Sequence, residues 1–281
     1  MTQIAFIGTG LLGSALAEAA AKRGDQVTAW NRTIEKARAL EPLGVRAADT
    51  PADAVRGAER VHLVLKDDAV VEETIGRLRP GLAADSIIVD HTTTQPARTA
   101  ERATRLNAEG VHYLHCPVFI GPAAARAGAG TILASGPRAL YDRVSAALRR
   151  MAQRVEYFGE RPDLAAVYKL CGNVIIVGVS AMAADVFAVA AGGGVSPEDA
   201  IRIRDIVNPP ILSARAEHMV ARDFTPSFEL TMARKDVRLM LETAGARPLA
   251  ALEAIASRMD ALIEQGHSRQ DLAALGVDSV R

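Results

Sequence analysis

The chain opens on an apolar run, Ile4-Ala5-Phe6-Ile7, that passes directly into Gly8-Thr9-Gly10-Leu11-Leu12-Gly13 and then into an alanine-rich stretch. No other segment restricts the fold so tightly. A buried strand followed at once by Gly-x-Gly-x-x-Gly and a helix predicts a βα turn whose backbone approaches a dinucleotide phosphate. Gly8 permits the tight turn, Gly10 lets the main chain come close to a pyrophosphate, and Gly13 lets the helix lie close on the strand. The first helical turn adds unpaired N–H groups and the positive end of the helix dipole. Glycine is common in turns, so the motif alone is weak, and an ordinary strand–helix turn is the alternative. Its context makes Gly8, Thr9, Gly10, Leu11, Leu12 and Gly13 the candidate cofactor contacts.

The first half of the chain continues the alternation. Val27–Trp30, Val61–Leu65, Ile87–Val89 and Val111–Leu114 read as strands, and Ser14–Arg23, Ile34–Leu40, Ala52–Val55, Val70–Leu78 and Pro96–Leu106 read as helices. Thr131–Ala134, Ala139–Met151 and Val155–Phe158 add a further βαβ unit. Alternation of this kind predicts a parallel, doubly wound sheet. After Phe158 the strand signal stops, and helical patterns run to the end with breaks at Gly192–Gly194, Pro209-Pro210, Pro226 and Pro248. The expected fold is an α/β Rossmann-type N-terminal domain (1–160) plus an all-α C-terminal domain (161–281) for substrate and dimerisation, joined by a long helix starting near Asp163. So small and apolar a helical domain is expected to be completed by a second subunit, as a homodimer or a dimer-based oligomer.

Composition excludes several classes. The 281 residues carry 33 basic and 33 acidic side chains, and nucleic-acid or anionic-membrane binders show a basic excess. The expected partner is therefore a small molecule, with no nucleic acid and no membrane. Cys116 and Cys171 form no disulfide framework or metal-ligand pattern, so no metal is expected and a cytoplasmic location fits. The apolar start is read as a strand rather than a signal peptide. The apolar stretch Val174 to Ala191 contains Asp185 and several small residues, and it is read as a buried helix.

The second strand ends in Trp30-Asn31-Arg32-Thr33. An NAD site carries an acidic residue about 20 residues beyond the glycines, on the ribose 2′-hydroxyl. Here Asn31 stands instead, Arg32 attracts a 2′-phosphate and Thr33 can donate to it, which points to NADP(H) over NAD(H). A solvated loop arginine is the alternative for Arg32.

These segments resemble the β-hydroxyacid dehydrogenase family, whose members include 3-hydroxyisobutyrate dehydrogenase and tartronate semialdehyde reductase and which is related to imine reductases. The resemblance spans essentially the whole chain. Besides the glycine loop it rests on Val89-Asp90-His91-Thr92-Thr93-Thr94-Gln95-Pro96, similar to the family's Asp-x-Ser-Thr-x-x-Pro. It also rests on Phe228-Glu229-Leu230-Thr231-Met232-Ala233-Arg234-Lys235-Asp236-Val237 and on Gly266-His267 with Asp271. The resemblance implies that Val64, Leu65 and Lys66 line the cofactor through backbone atoms, that Thr93 lies by the nicotinamide, and that Lys235 reaches the cofactor. It further implies a C-terminal domain like that of 6-phosphogluconate dehydrogenase.

Lys169 and Asn173 are four apart on a predicted helix and so share one face. A lysine among Ala165, Ala166, Val167 and Leu170 is costly to bury charged, and such a lysine suits proton transfer to a carbonyl oxygen. The residues alone leave it equally a snorkelling side chain. The resemblance implies the catalytic reading, because the family's Lys-x-x-x-Asn falls on Lys169 and Asn173.

Departures bear on the substrate. The family reads Asp-x-Pro-Val-Ser-Gly-Gly where this chain reads His115-Cys116-Pro117-Val118-Phe119-Ile120-Gly121. Phe119 replaces a hydroxyl that grips a carboxylate, and Ile120 replaces a glycine. Phe119, Ile120, Gly121, Lys169 and Asn173 are the candidate substrate contacts, and the substrate is expected to be more apolar than in typical members. Asp163 caps the helix in this reading, His115 is structural by default, and His91 either lines the site or packs. The expected function is hydride transfer between NADPH and a carbonyl or β-hydroxy compound, with a lysine as general acid and base. The alternatives are an imine reductase-like enzyme and an NADPH-binding sensor without turnover.

Overall fold

The computed structural model describes residues 2–206, 210–246, 249 and 251–280. The chain divides into two compact units, the first ending at Lys169 and the second beginning at Leu170. That division falls inside the long helix Leu164–Gly192 rather than ahead of it. The breaks expected at Pro209 and Pro248 lie outside the described residues.

Unit 1 is built on six parallel strands: β1 (Gln3–Ile7), β2 (Gln26–Trp30), β3 (Val45–Ala47), β4 (Arg60–Leu63), β5 (Ile87–Asp90) and β6 (His112–His115). Their order in the sheet is β3-β2-β1-β4-β5-β6. Ile7 is level with Trp30 on one side and with Leu63 on the other. The strands read as unbroken apolar runs because helices cover both faces. Leu16, Ala20, Val27, Leu114 and Leu148 belong to one core layer, and Val61, Leu63, Ile75, Leu78, Ile88 and Tyr113 to another. The chain works outward from β1 to β3 and then returns to the other side of β1. In an open parallel sheet, that reversal point is where ligands bind, beyond the carboxyl ends of the strands.

Three further strands, β7 (Val118–Phe119), β8 (Thr131–Ala134) and β9 (Arg154–Tyr157), form a second sheet. A single antiparallel bridge, His115 to Ser135, ties it to the first. β3 and β7 carry no strand signal in the sequence, since three and two residues are too short to show a period. β4 stops at Leu63, two residues before the apolar run ends, because the Val64 carbonyl is packed against the glycine turn.

Unit 2 contains no strand among the described residues. The helices Leu230–Ala244 and Leu252–Leu262 pack with the C-terminal part of the long helix around Val177, Phe187, Val237, Met240, Met259 and Leu262. Its loops converge on Asp271, whose carboxylate is 1% exposed. Asp271 accepts from the Ser227 hydroxyl and the amides of Ser227, Phe228 and Ala273, and pairs with Arg215. Burial pushes the acid upward, but Arg215 and those amides outweigh it and hold the carboxyl below the usual aspartate range. The long helix meets the length and apolarity of a membrane span, a test that core helices also meet; only 29% of its most apolar window is buried.

Unit 1 also buries three histidines. His91 Nδ1 is 2.7 Å from the Cys116 carbonyl, which only accepts, so Nδ1 carries the proton. His91 Nε2 then accepts from His62 Nδ1 at 2.9 Å, and both rings are neutral. His115 Nε2 donates to the Thr92 carbonyl at 3.0 Å. Burial pushes all three below the ordinary histidine value, His91 to about 4. The unfolded chain therefore binds more protons than the fold below about pH 6.5, and stability is lost as pH falls from there toward 4. At pH 5 His91 alone costs about 2 kcal/mol. Urea unfolding followed at Trp30, the sole tryptophan, is expected to show a lower midpoint at pH 5 than at pH 7.5. A flat midpoint contradicts neutral, buried histidines.

Candidate active site

The glycine turn follows β1 and meets the end of β4 at the reversal point. Gly8 has φ +98°, and a Cβ there would stand 2.3 Å from the Val64 carbonyl oxygen. A Cβ on Gly13 would stand 2.0 Å from the Gly8 carbonyl oxygen. Both positions therefore exclude any side chain, and the helix Leu11–Lys22 starts as close to the sheet as backbone allows. Gly10 differs: it is exposed, and nothing lies within 4 Å of its Cβ position. Thr9 is buried, and its hydroxyl has no hydrogen-bond partner. Leu11 is exposed at the loop surface, and Leu12 packs on the core.

Asn31 braces this loop. Its Oδ1 accepts from the Thr9 N–H at 3.1 Å and its Nδ2 donates to the Thr33 carbonyl at 3.0 Å. The sequence suggested a cofactor contact only; the side chain also links the glycine turn to the end of β2. Arg32 and Thr33 are exposed. No ion pair of Arg32 occurs among the described residues. An open backbone at Gly10, a partnerless buried hydroxyl at Thr9 and an uncompensated guanidinium at Arg32 together fit the phosphates of a dinucleotide.

Past β4, Val64 and Leu65 are half-buried and Lys66 is exposed. The Leu65 N–H donates to Thr92 Oγ1 at 3.1 Å, which couples this loop to the one after β5. That second loop is held at almost every residue. The His91 N–H donates to the Leu63 carbonyl, the Thr92 N–H to Asp90 Oδ1, and the Gln95 N–H to Asp68 Oδ2. Thr94 is buried against Thr99 and His115. Thr93, by contrast, is half-buried. His91 and His115 thus hold the loop that presents Thr93.

Beneath both loops lies Arg102, the largest fully buried side chain. Its guanidinium bonds Asp68 at 2.7 Å and Glu72 at 2.8 Å and lies 3.9 Å from Asp90. Tyr113 donates to Asp90 at 2.6 Å. Burial opposes the charge on Arg102, but Tyr113, Asp90 and Asp68 outweigh it and keep the guanidinium firmly protonated. The sequence reading missed this network, because its members are scattered over four elements.

On the substrate side, Phe119 and Ile120 are half-buried and Gly121 is exposed at the start of the helix Pro122–Arg126. A Cβ on Gly130 would lie 2.9 Å from Ile120 Cγ1, so Gly130 makes room for the larger side chain. Lys169 is 9% exposed, and its ammonium sits 4.1 Å from the centre of the Phe119 ring. The helix bearing it is anchored by Ser135 Oγ, which accepts from the Ala165 N–H and donates to the Pro162 carbonyl, both at 2.9 Å. The Asp163 carboxylate pairs with Arg161 instead of capping.

Asn173 follows on the next turn of the same helix and belongs to unit 2. Its Nδ2 donates to Asp236 at 2.6 Å, and the Lys235 ammonium is 2.5 Å from the other oxygen of that carboxylate. Asp236 is 2% exposed. It gathers two expected site residues and was itself passed over, although the Lys-Asp dipeptide was its signal.

Comparison with known proteins identifies the fold and the family. Residues 3–159 match the NAD binding domain of 6-phosphogluconate dehydrogenase, and residues 164–276 match the NAD-binding family of NADP-dependent 3-hydroxyisobutyrate dehydrogenase. The chain is 28% identical to an uncharacterized oxidoreductase of Shewanella frigidimarina over 87% of this chain and 86% of that one. The fold is that of 3-hydroxyisobutyrate dehydrogenase from Salmonella typhimurium, with TM-score 0.88, 21% identity and coverage of 98% and 99%. It is also similar to an imine reductase from Myxococcus stipitatus in complex with NADP+, with TM-score 0.65, 22% identity and coverage of 97% and 98%. Fold and family matches together define a nicotinamide-dependent oxidoreductase. The chain belongs to the β-hydroxyacid dehydrogenase family, of the 3-hydroxyisobutyrate dehydrogenase type that acts on CH–OH groups.

Proposed function

We propose that this chain is an NADPH-dependent oxidoreductase that interconverts a carbonyl and a β-hydroxy compound, with Lys169 as proton donor and acceptor. The observation that carries this reading is the Lys169 ammonium, nearly buried on a helix anchored by Ser135 and seated against the strand end at Phe119. A bound nicotinamide supplies or takes up the hydride. Lys169 gives its proton to the carbonyl oxygen as the carbon is reduced, and as the neutral amine it takes the hydroxyl proton in the reverse direction. Asn173, oriented by Asp236, holds the substrate oxygen or the lysine. Lys235 and Thr93 attend the nicotinamide end, and the glycine loop with Asn31, Arg32 and Thr33 holds the phosphates. Phe119 and Ile120 remove the grip on a small carboxylate and favour a more apolar substrate. The same apolar strand end supports a second reading, reduction of a cyclic imine.

We further infer a homodimer, formed through the long helix. Ile175, Met182 and Val189 stand seven residues apart on it and are 54%, 60% and 78% exposed. A seven-residue apolar repeat is the seam by which two helices pair. Cys116 and Cys171 are free thiols, in keeping with a cytoplasmic site of action.

NADPH is expected to bind more tightly than NADH, and Arg32→Ala to narrow the gap by about tenfold, as loss of one charged phosphate contact implies. Equal affinities in the parent protein sink the Arg32 assignment. Lys169→Ala is expected to lower kcat by about 10²–10⁴-fold while the Kd for NADPH changes little. Full turnover in that variant removes the acid–base role. A panel of hydroxy acids, semialdehydes, ketones and cyclic imines, followed by NADPH absorbance, separates the two substrate readings. Silence across the panel favours a sensor. In sedimentation the parent chain should run as a dimer and Met182→Glu as a monomer; a monomeric parent refutes the interface.

A further inference from the structure

Phe119 stands where the family it resembles carries a serine, and it does more than remove a hydroxyl. Its ring has a second property. The face of an aromatic ring is the negative pole of its quadrupole, and an ammonium over that face is attracted to it. Lys169 Nζ lies 4.1 Å from the ring centre, well inside the roughly 6 Å range of that attraction. The lysine is 9% exposed, so solvent screens the contact little. Both partners are mounted on fixed elements. Phe119 ends β7, held antiparallel to β8 at Thr131, and Gly130 lies close beneath its carbonyl oxygen. The helix start that carries Lys169 is tied to Ser135 at the end of β8. One strand therefore registers the ring against the ammonium.

We propose that Phe119 is the positioning residue for Lys169, its ring face holding the ammonium where proton transfer takes place. This rests on Lys169 being the proton donor, but the contact itself is testable without that assumption. Phe119 would thus do two things at once. It removes a polar grip on substrate and supplies the lysine with a neutral, fixed seat. A change that restores the small hydroxyl also unseats the proton donor, so Phe119→Ser alone is not expected to create an efficient hydroxy-acid dehydrogenase.

The test compares Phe119→Leu, which keeps an apolar side chain of similar bulk without a π face, with Phe119→Tyr, which keeps the face. In the cofactor-free protein, the side-chain NMR signal of Lys169 is assigned with Lys169→Arg and titrated. Loss of the ring should move the Lys169 midpoint to lower pH by about half a unit to one unit. Phe119→Tyr should leave it in place. With NADPH and the best substrate of the panel, Phe119→Leu should lower kcat about tenfold and shift the alkaline limb of its pH profile the same way. KM for NADPH and the thermal midpoint serve as controls and should hold. A Lys169 midpoint unmoved in Phe119→Leu, or moved equally in Phe119→Tyr, overturns the proposal. Full turnover in Lys169→Ala instead overturns the acid–base reading while leaving the ring contact to be judged by the titration.

Discussion

A guanidinium taken out of water costs several kcal/mol unless every donor finds charge or a lone pair, and unit 1 takes Arg102 out of water completely. Asp68, Glu72, Asp90 and Tyr113 surround it. The two buried carboxylates are spoken for twice over. Asp68 also accepts from the Gln95 amide, and Asp90 from the Thr92 amide. The loops after β4 and β5 are therefore fastened to the same charge. Remove Arg102, and two buried anions lose their counterion beneath the loops that carry Leu65 and Thr93. The two loops proposed to line the nicotinamide end are thus held from below by one buried ion network.

The phosphate end rests on a different constraint, steric rather than electrostatic. Gly8 and Gly13 are packed against backbone, where even one methyl group has no room. Gly10 faces open space, and the turn divides its glycines between holding the helix against the sheet and leaving the main chain bare. Lys169, the proposed proton donor, rests on a third, the helix start hung from Ser135. Three separate devices, a buried ion network, a backbone contact and a hydroxyl clamp, thus position three parts of the proposed site.

Much of this was legible in the chain itself. The apolar run into Gly8–Gly13 carries its own local context, so strand, turn and helix follow from adjacent residues. The shared helix face of Lys169 and Asn173 follows from their four-residue spacing, whereas their proposed role came from the family resemblance; Arg32 was noticed for its place just beyond β2. What escaped was non-local. Arg102 and Asp68 are brought together by separate elements, and nothing near either announces the other. β3 and β7 are strands only because a neighbour pairs with them. His62 was not singled out at all, because a histidine within an apolar run shows its partner, His91, only after β4 and β5 lie side by side. Asn31 and Phe119 were noticed for what they would do to a ligand, whereas each also binds another part of the protein.

The Asp271 carboxylate sets an order of events on the ribosome. Unit 1 has all its strands once the chain has passed Tyr157, and domains generally fold as units as they emerge. Unit 2 has no such early closure. The amides of Ser227 and Phe228 and the Arg215 guanidinium wait for an acceptor more than forty residues further on. The fastening of its loops therefore waits until Asp271 has emerged. A chain cut short of Asp271 would therefore leave the Arg215 guanidinium and the Ser227 and Phe228 amides without their shared acceptor.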